Sequence, residues 1–205
     1  MKGDFSMPPK PKFTREEVIQ AALQLVSRKG MDGLTARELG ESLGSSARPI
    51  FTLFKNMEEL QTEVRAAAMR RFETYGNQIS GDMPLFKQIG MRVVLFGMEE
   101  PKLYQLLFMR ENRKAAGFDE LFGELDPTAT ACIELLCRTY DLSVPDARAL
   151  FENVWIHTFG MGALCATGVC RFSEEQVSSM LTTEFQAMLT LIKLGRLPSK
   201  EPSSR

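Results

Sequence analysis

A chain of 205 residues with 44% hydrophobic and 25% charged residues has the composition of a folded globular protein, with enough length for one large core or two smaller ones. Its net charge of −1 excludes a uniformly basic nucleic-acid coat, and no apolar run reaches the roughly 18 residues that read as a membrane span. Lys2 is followed by Asp4 and by no apolar leader core, so no secretory signal is expected, and Cys132, Cys137, Cys165 and Cys170 are expected as reduced thiols in a cytoplasm.

The charge is unevenly placed. From Met1 to Asn56 there are nine cations and six anions, a net +3 that leaves −4 for the remainder. A mildly basic head on an acidic body is the distribution of a nucleic-acid-reading module joined to a domain with another task. Pro8, Pro9 and Pro11, interleaved with Lys10 and Lys12, read as a flexible arm over residues 1–12. Phe13-Thr14-Arg15-Glu16-Glu17-Val18 then predicts a helix over 14–29: Thr14 caps it, Glu17 reaches back to the cap, and Phe13 staples onto Val18. Val18, Ala22, Leu25 and Val26 mark its buried face, and Gly30 and Gly33 end it. Leu34-Thr35-Ala36-Arg37-Glu38-Leu39 repeats the signature and predicts a two-turn helix over 35–42, with Glu38 as the reciprocal partner of Thr35. After the turn Gly44-Ser45-Ser46, a third helix is predicted over 46–53. Ser46 is its cap, Pro49 stands in its first turn, and Ile50, Leu53 and Phe54 face inward.

Two short helices across a tight glycine turn, braced by a longer one, form a helix-turn-helix. The start of its second helix must be slim to enter a major groove. Ser46 and Ala47 are small, and Arg48 has the planar fork that matches a guanine edge. At this point a second reading stays open, in which three capped helices simply begin an all-α protein. Further helices are predicted near 56–80, 84–98, 101–112, 118–140, 145–168 and 173–194, and Pro84, Pro101, Pro127 and Pro145 each stand just before or at the start of an apolar-periodic run. The last two, joined by a turn over 168–173, pair as an antiparallel hairpin. With no sustained two-residue alternation, the fold class is all-α with about nine helices. Its parts are a helix-turn-helix domain over 13–56, a helical bundle over 57–197 and a disordered tail over 198–205.

The stretch from Gly33-Leu34-Thr35-Ala36-Arg37-Glu38-Leu39-Gly40 through Gly44-Ser45-Ser46-Ala47-Arg48-Pro49-Ile50-Phe51-Thr52-Leu53-Phe54-Lys55-Asn56-Met57-Glu58-Glu59-Leu60 resembles the DNA-binding domain of the TetR/AcrR family in order and spacing. The resemblance implies a regulator, most often a repressor, that binds double-stranded, near-palindromic operator DNA as a homodimer and is released by a small-molecule effector. It implies no enzyme, no cofactor, no metal and no membrane partner. By position it places Thr35 and Lys55 on phosphate, and Arg37, Ser46, Ala47, Arg48, Pro49, Phe51 and Thr52 at or near the groove. Three positions depart from the family pattern: Phe51 stands where a tyrosine hydroxyl is usual, Leu53 where histidine is common and Met57 where lysine is common. The affinity implied then rests more on Arg48, Lys55 and the Lys10/Lys12 arm.

In the body, Phe96–Phe108 and Trp155-Ile156-His157-Thr158-Phe159-Gly160-Met161 resemble a Trp-His-Gly subgroup of family effector domains. The histidine expected before Gly160 is Phe159, so no role passes to His157. Phe108, Phe122, Trp155 and Phe159 are the candidates for an adaptable apolar effector pocket, with ordinary core packing as the alternative. Gly160, Leu164, Val177, Leu181, Met188 and Ile192 are the candidates for a dimer face on the last two helices. Two other function classes are weighed. A helical enzyme lacks a nucleophile motif, a paired-carboxylate site or a phosphate loop, and its one histidine, His157, sits in an apolar stretch as a satisfied buried imidazole. A thiol-redox regulator would use Cys165 and Cys170. Like Cys132 and Cys137 they are five residues apart, which on a regular helix places them on different faces unless Gly168 breaks the helix.

Overall fold

The computed structural model describes residues 12–76, 83–109 and 127–196. Among these residues it contains nine α-helices and no strand. The helices are α1 Arg15–Lys29, α2 Ala36–Ser42, α3 Ile50–Leu53, α4 Met57–Gly76, α5 Leu85–Glu99, α6 Pro101–Phe108, α7 Pro127–Tyr140, α8 Val144–Ala166 and α9 Glu174–Lys193, with a single 3-10 turn at Met31–Gly33. No described helix is long and apolar enough to cross a membrane. The chain forms two compact units that divide after Phe72, inside α4. Phe122, the arm through Pro11 and the tail from residue 197 lie outside the described residues.

In the first unit, α1 begins as the sequence predicts. The Thr14 hydroxyl accepts from the Glu17 N–H at 3.2 Å, and the Glu17 carboxylate accepts from the Thr14 N–H at 2.7 Å. Val18, Ala22, Leu25 and Val26 are all buried. The second cap is only half of what was expected. Thr35 accepts from the Glu38 N–H at 3.2 Å, but the Glu38 carboxylate is taken by Lys29 of α1. An ammonium on the neighbouring helix outcompetes a neutral backbone N–H for the carboxylate.

The second unit is organised around α8, which packs against α5, α6, α7 and α9. Pro84, Pro101, Pro127 and Pro145 stand at the starts of α5–α8, where a missing N–H costs no helical bond. One cluster joins Cys132 and Leu136 of α7, Leu150, Phe151 and Val154 of α8 and Ile192 of α9. A second joins Met91, Val94 and Leu95 of α5, Met161 and Cys165 of α8 and Val177 and Leu181 of α9. The tightest crossing lies between α5 and α8. A β-carbon on Gly97 would come within 2.8 Å of the Gly162 carbonyl oxygen, and one on Gly162 within 2.4 Å of the Tyr104 hydroxyl. Tyr104, fully buried, donates its hydroxyl to the Phe159 carbonyl at 3.2 Å.

Candidate nucleic-acid interface

The turn between α2 and α3 is set by backbone chemistry. Gly44 adopts φ +61°, and its N–H returns to the Glu41 carbonyl at 3.1 Å while that of Ser45 returns to Gly40 at 2.9 Å. These are the two bonds of a Schellman ending, which satisfies carbonyls that a helix end leaves orphaned. The chain then folds back onto Gly40 so closely that a β-carbon there would meet the Ser46 carbonyl carbon at 2.9 Å and the Ala47 nitrogen at 3.0 Å. Lys12, the one arm lysine described, donates to the Gly44 carbonyl at 3.4 Å and so lies against this turn.

The third helix is shorter than the sequence predicts. It spans Ile50–Leu53, Pro49 is its cap residue, and Ser46 makes no cap bond. Pro49 biases Arg48 away from helical dihedrals and has no N–H to give, and the Ile50 N–H instead closes a tight turn on the Ala47 carbonyl at 3.1 Å. Ile50 and Phe54 are buried as predicted, whereas Leu53 is only half-buried.

All nine predicted contact residues belong to the first unit and none is buried. Thr35, Arg37, Ser46, Arg48, Phe51, Thr52 and Lys55 are exposed, and Ala47 and Pro49 are half-buried. Phe51 keeps 48% of its surface in water. Arg37 is paired with Glu41 one turn on at 2.9 Å, the Thr52 hydroxyl donates to the Pro49 carbonyl at 2.6 Å, and Arg48 has no partner among the described residues. A long guanidinium without a partner among the described residues, beside two small residues, is available to bond from this surface.

Sequence reasoning missed the brace behind it. Arg15 of α1 donates to the Leu53 carbonyl at 2.8 Å and to Glu59 and Glu63 of α4 at 2.9 Å each, and its guanidinium lies 4.3 Å from the centre of the Phe54 ring. It therefore ties α1, the end of α3 and α4 together. The one legible signal was Glu59 and Glu63, like charges a helical turn apart that repel unless a cation lies between them. Glu59 also accepts from the Lys55 N–H at 2.7 Å, and Asn56 caps α4 through the Glu59 N–H at 2.9 Å.

These bonds hold three carboxylates below the usual glutamate range: Glu59 through the Lys55 N–H and then Arg15, Glu17 through Thr14, and Glu38 through Lys29. A carboxylate held low when folded binds fewer protons than when unfolded, so its stabilisation is complete above the usual glutamate range and is lost as pH falls through its folded value. The expected result is a melting temperature of the first unit that is flat near neutrality and falls in acid, with a shallower fall in Glu59→Gln. Melts followed by circular dichroism across that range check it, and identical acid slopes in the two proteins would count against it.

In the second unit the structure brings three of the four effector candidates together. Trp155 and Phe159 stack with centroids 4.0 Å apart, Phe108 meets Phe159 edge-on at 5.4 Å, and Tyr104, not among the candidates, joins at 5.1 Å from Phe108. Phe108, Trp155 and Phe159 are half-buried. An open groove of about 540 Å³ between α7 and α8, lined by Ile133, Cys137, Val144, Arg138 and Arg148 among others, shares none of these residues. His157 is not the satisfied imidazole expected: its Nδ1 lies 4.0 Å from Glu184, and its buried Nε2 has no hydrogen-bond partner. Of the dimer candidates, Val177, Leu181 and Ile192 are buried in the chain's own core, and half-buried Met188 packs against it. Gly160 and Leu164 are exposed, and with Ile156 they form a stripe along α8 at successive four-residue steps.

Compared with known proteins, residues 18–64 match the family model described as bacterial regulatory proteins, tetR family. The class D tetracycline repressor protein of Escherichia coli is 32% identical over 71 residues, covering 35% of this chain and 33% of that one. The chain thus spans about a third of the length of the curated relatives it matches. Among solved structures, a transcriptional regulator from Rhodococcus superposes with a TM-score of 0.58 at 12% identity, over 87% of this chain and 97% of that one. A candidate TetR-family transcriptional regulator from Mesorhizobium loti superposes with a TM-score of 0.56 at 21% identity, over 87% of this chain and 98% of that one. These likenesses show the same all-α fold.

Proposed function

The N-terminal unit of this chain belongs to the tetR family of bacterial regulatory proteins, and from that premise we propose that the protein is a dimeric, effector-responsive regulator of transcription, acting as a repressor on a near-palindromic operator. The observation that carries this reading is the exposed surface of residues 46–55. Small residues and a free Arg48 stand forward there, while Ile50, Phe54 and Arg15 hold the short helix from behind. Thr35 and Lys55 bind phosphate in this reading, and Arg48 reads a base edge. Arg37 reaches the backbone by exchanging Glu41 for phosphate.

The test is binding of the full chain to the intergenic DNA upstream of its own gene, with a random duplex as control and across a salt series. Saturable, salt-sensitive binding with a clear preference for the first supports the reading, and equal affinity for both duplexes would overturn it. On the preferred duplex, Arg48→Ala is expected to lose roughly 1–3 kcal/mol of discrimination against the random one. Equal losses on both would make Arg48 a phosphate contact.

The Ile156/Gly160/Leu164 stripe of α8, together with the exposed Leu191 of α9, supports a self-complementary four-helix dimer face. Sedimentation of Leu164→Glu, expected to give monomer, checks it. The Phe108–Trp155–Phe159 cluster with Tyr104 supports a flat, apolar effector. Trp155 is the chain's one tryptophan, so quenching of its emission reports binding directly. The effector of the tetracycline repressors is not carried over, because the match to them covers only about a third of their length.

A further inference from the structure

The two cysteine pairs share a spacing of five residues but not an environment. Cys132 and Cys137 lie within the unbroken α7, so their side chains leave the helix about 140° apart. Cys165 and Cys170 straddle a helix end. α8 stops at Ala166, Gly168 takes φ +74°, and the chain reverses. The Gly168 N–H bonds the Cys165 carbonyl at 3.0 Å, and the Val169 and Cys170 N–H groups converge on the Leu164 carbonyl at 3.0 and 3.4 Å. The segment carrying Cys170 is therefore fastened to the last turn of α8 through the Leu164 carbonyl, with Cys165 buried and Cys170 half-exposed. The unwinding that such a pair needs in order to meet is already built into the turn.

We propose that Cys165 and Cys170 are a redox pair that closes to an intramolecular disulfide on exposure to a peroxide. Cys170 reacts first, because it is the accessible one: its thiolate attacks one peroxide oxygen, the O–O bond breaks, and a sulfenic acid and water result. The Cys165 sulfur then attacks the Cys170 sulfur, the S–O bond breaks, and a second water leaves with the thiol proton, so that two thiols are oxidised by two electrons and one peroxide is reduced. Burial and the neighbouring Cys170 hold the Cys165 thiol above its ordinary range, which disfavours it as the thiolate that meets the peroxide first.

The test treats the full chain with hydrogen peroxide, alkylates it under denaturing conditions and digests it with trypsin. Residues 149–171 form one peptide carrying both cysteines, and residues 115–138 form another carrying Cys132 and Cys137. The expected result is a first peptide lighter by two hydrogens and unalkylated, beside a second peptide alkylated twice. In Cys165→Ser, a sulfenic acid at Cys170 is expected to be trapped by dimedone, whereas in Cys170→Ser the thiol of Cys165 is expected to stay reduced. The proposal is overturned by full alkylation of 149–171 after peroxide, by linkage to Cys132, Cys137 or a second chain, or by dimedone capture at Cys165. The wild-type digest decides the disulfide even where a variant fails to fold.

Discussion

Gly162→Ala is expected to destabilise the second unit by roughly 3 kcal/mol, the upper end of what overpacking costs, and to lower its melting temperature by about 2–4 °C per kcal/mol. The added methyl would stand 2.4, 2.7 and 2.8 Å from the hydroxyl oxygen, Cζ and Cε2 of Tyr104. That ring has no retreat. It is fully buried, Phe108 meets it edge-on at 5.1 Å, and its hydroxyl is held at the Phe159 carbonyl. The crossing of α5 and α8 beside it is close as well, with the Gly162 carbonyl oxygen 2.8 Å from where a β-carbon on Gly97 would stand. Urea denaturation measures the effect, and a double-mutant cycle identifies its source. Tyr104→Ala creates a cavity in the wild type but relieves the clash in Gly162→Ala, so the two costs are expected to fall short of additivity by about 1–3 kcal/mol. Strict additivity would place the strain elsewhere.

Gly40→Ala is the corresponding test of the first unit. Every atom its methyl would meet, the Ser46 carbonyl carbon, the Ala47 nitrogen and the Ser45 carbonyl oxygen, is backbone at 2.9–3.0 Å, so no side chain can swing away. The turn itself must open and carry Ser46, Ala47 and Arg48 with it. The expected cost is about 1–3 kcal/mol of stability, with a larger loss of DNA binding than of fold, since recognition needs those residues within a few tenths of an ångström of their places. Within the chain itself nothing lies within 4 Å of a β-carbon on Gly160, so Gly160→Ala tests the proposed dimer face and not the fold of the chain. Operator binding by the Gly40→Ala protein with wild-type affinity would separate the turn from recognition.

Much of this architecture is legible in the amino-acid sequence because its signals are local. Thr14 with Glu17, the prolines at the starts of α5–α8 and Gly44 after α2 each act within a few residues, and each stands where its chemistry predicts. Apart from the start of α3, which Pro49 moves away from Ser46 locally, what was misread is non-local. Glu38 leaves its own cap for a lysine nine residues away on another helix, and Arg15 reaches carboxylates more than forty positions on. Apolar periodicity fails in the same way on α8 and α9: it shows that Val177, Leu181 and Ile192 face something, but not whether that is their own chain or a copy of it. Burial resolves the question in favour of their own chain. Tyr104 escaped notice because a single tyrosine in an apolar run carries no mark of the two glycines that make room for it.

The short third helix separates two kinds of residue completely. Ile50 and Phe54, with Arg15 behind them, anchor it, while Ser46, Arg48, Phe51, Thr52 and Lys55 face outward and support nothing in the core. Exposed positions of this kind tolerate exchange within about 0.5 kcal/mol. On the proposed reading the unit is an evolvable reading head: its sequence preference can drift, or be rewritten by grafting five side chains, without passing through an unfolded intermediate. A guanidinium whose fork no ammonium reproduces holds the frame constant while the text changes.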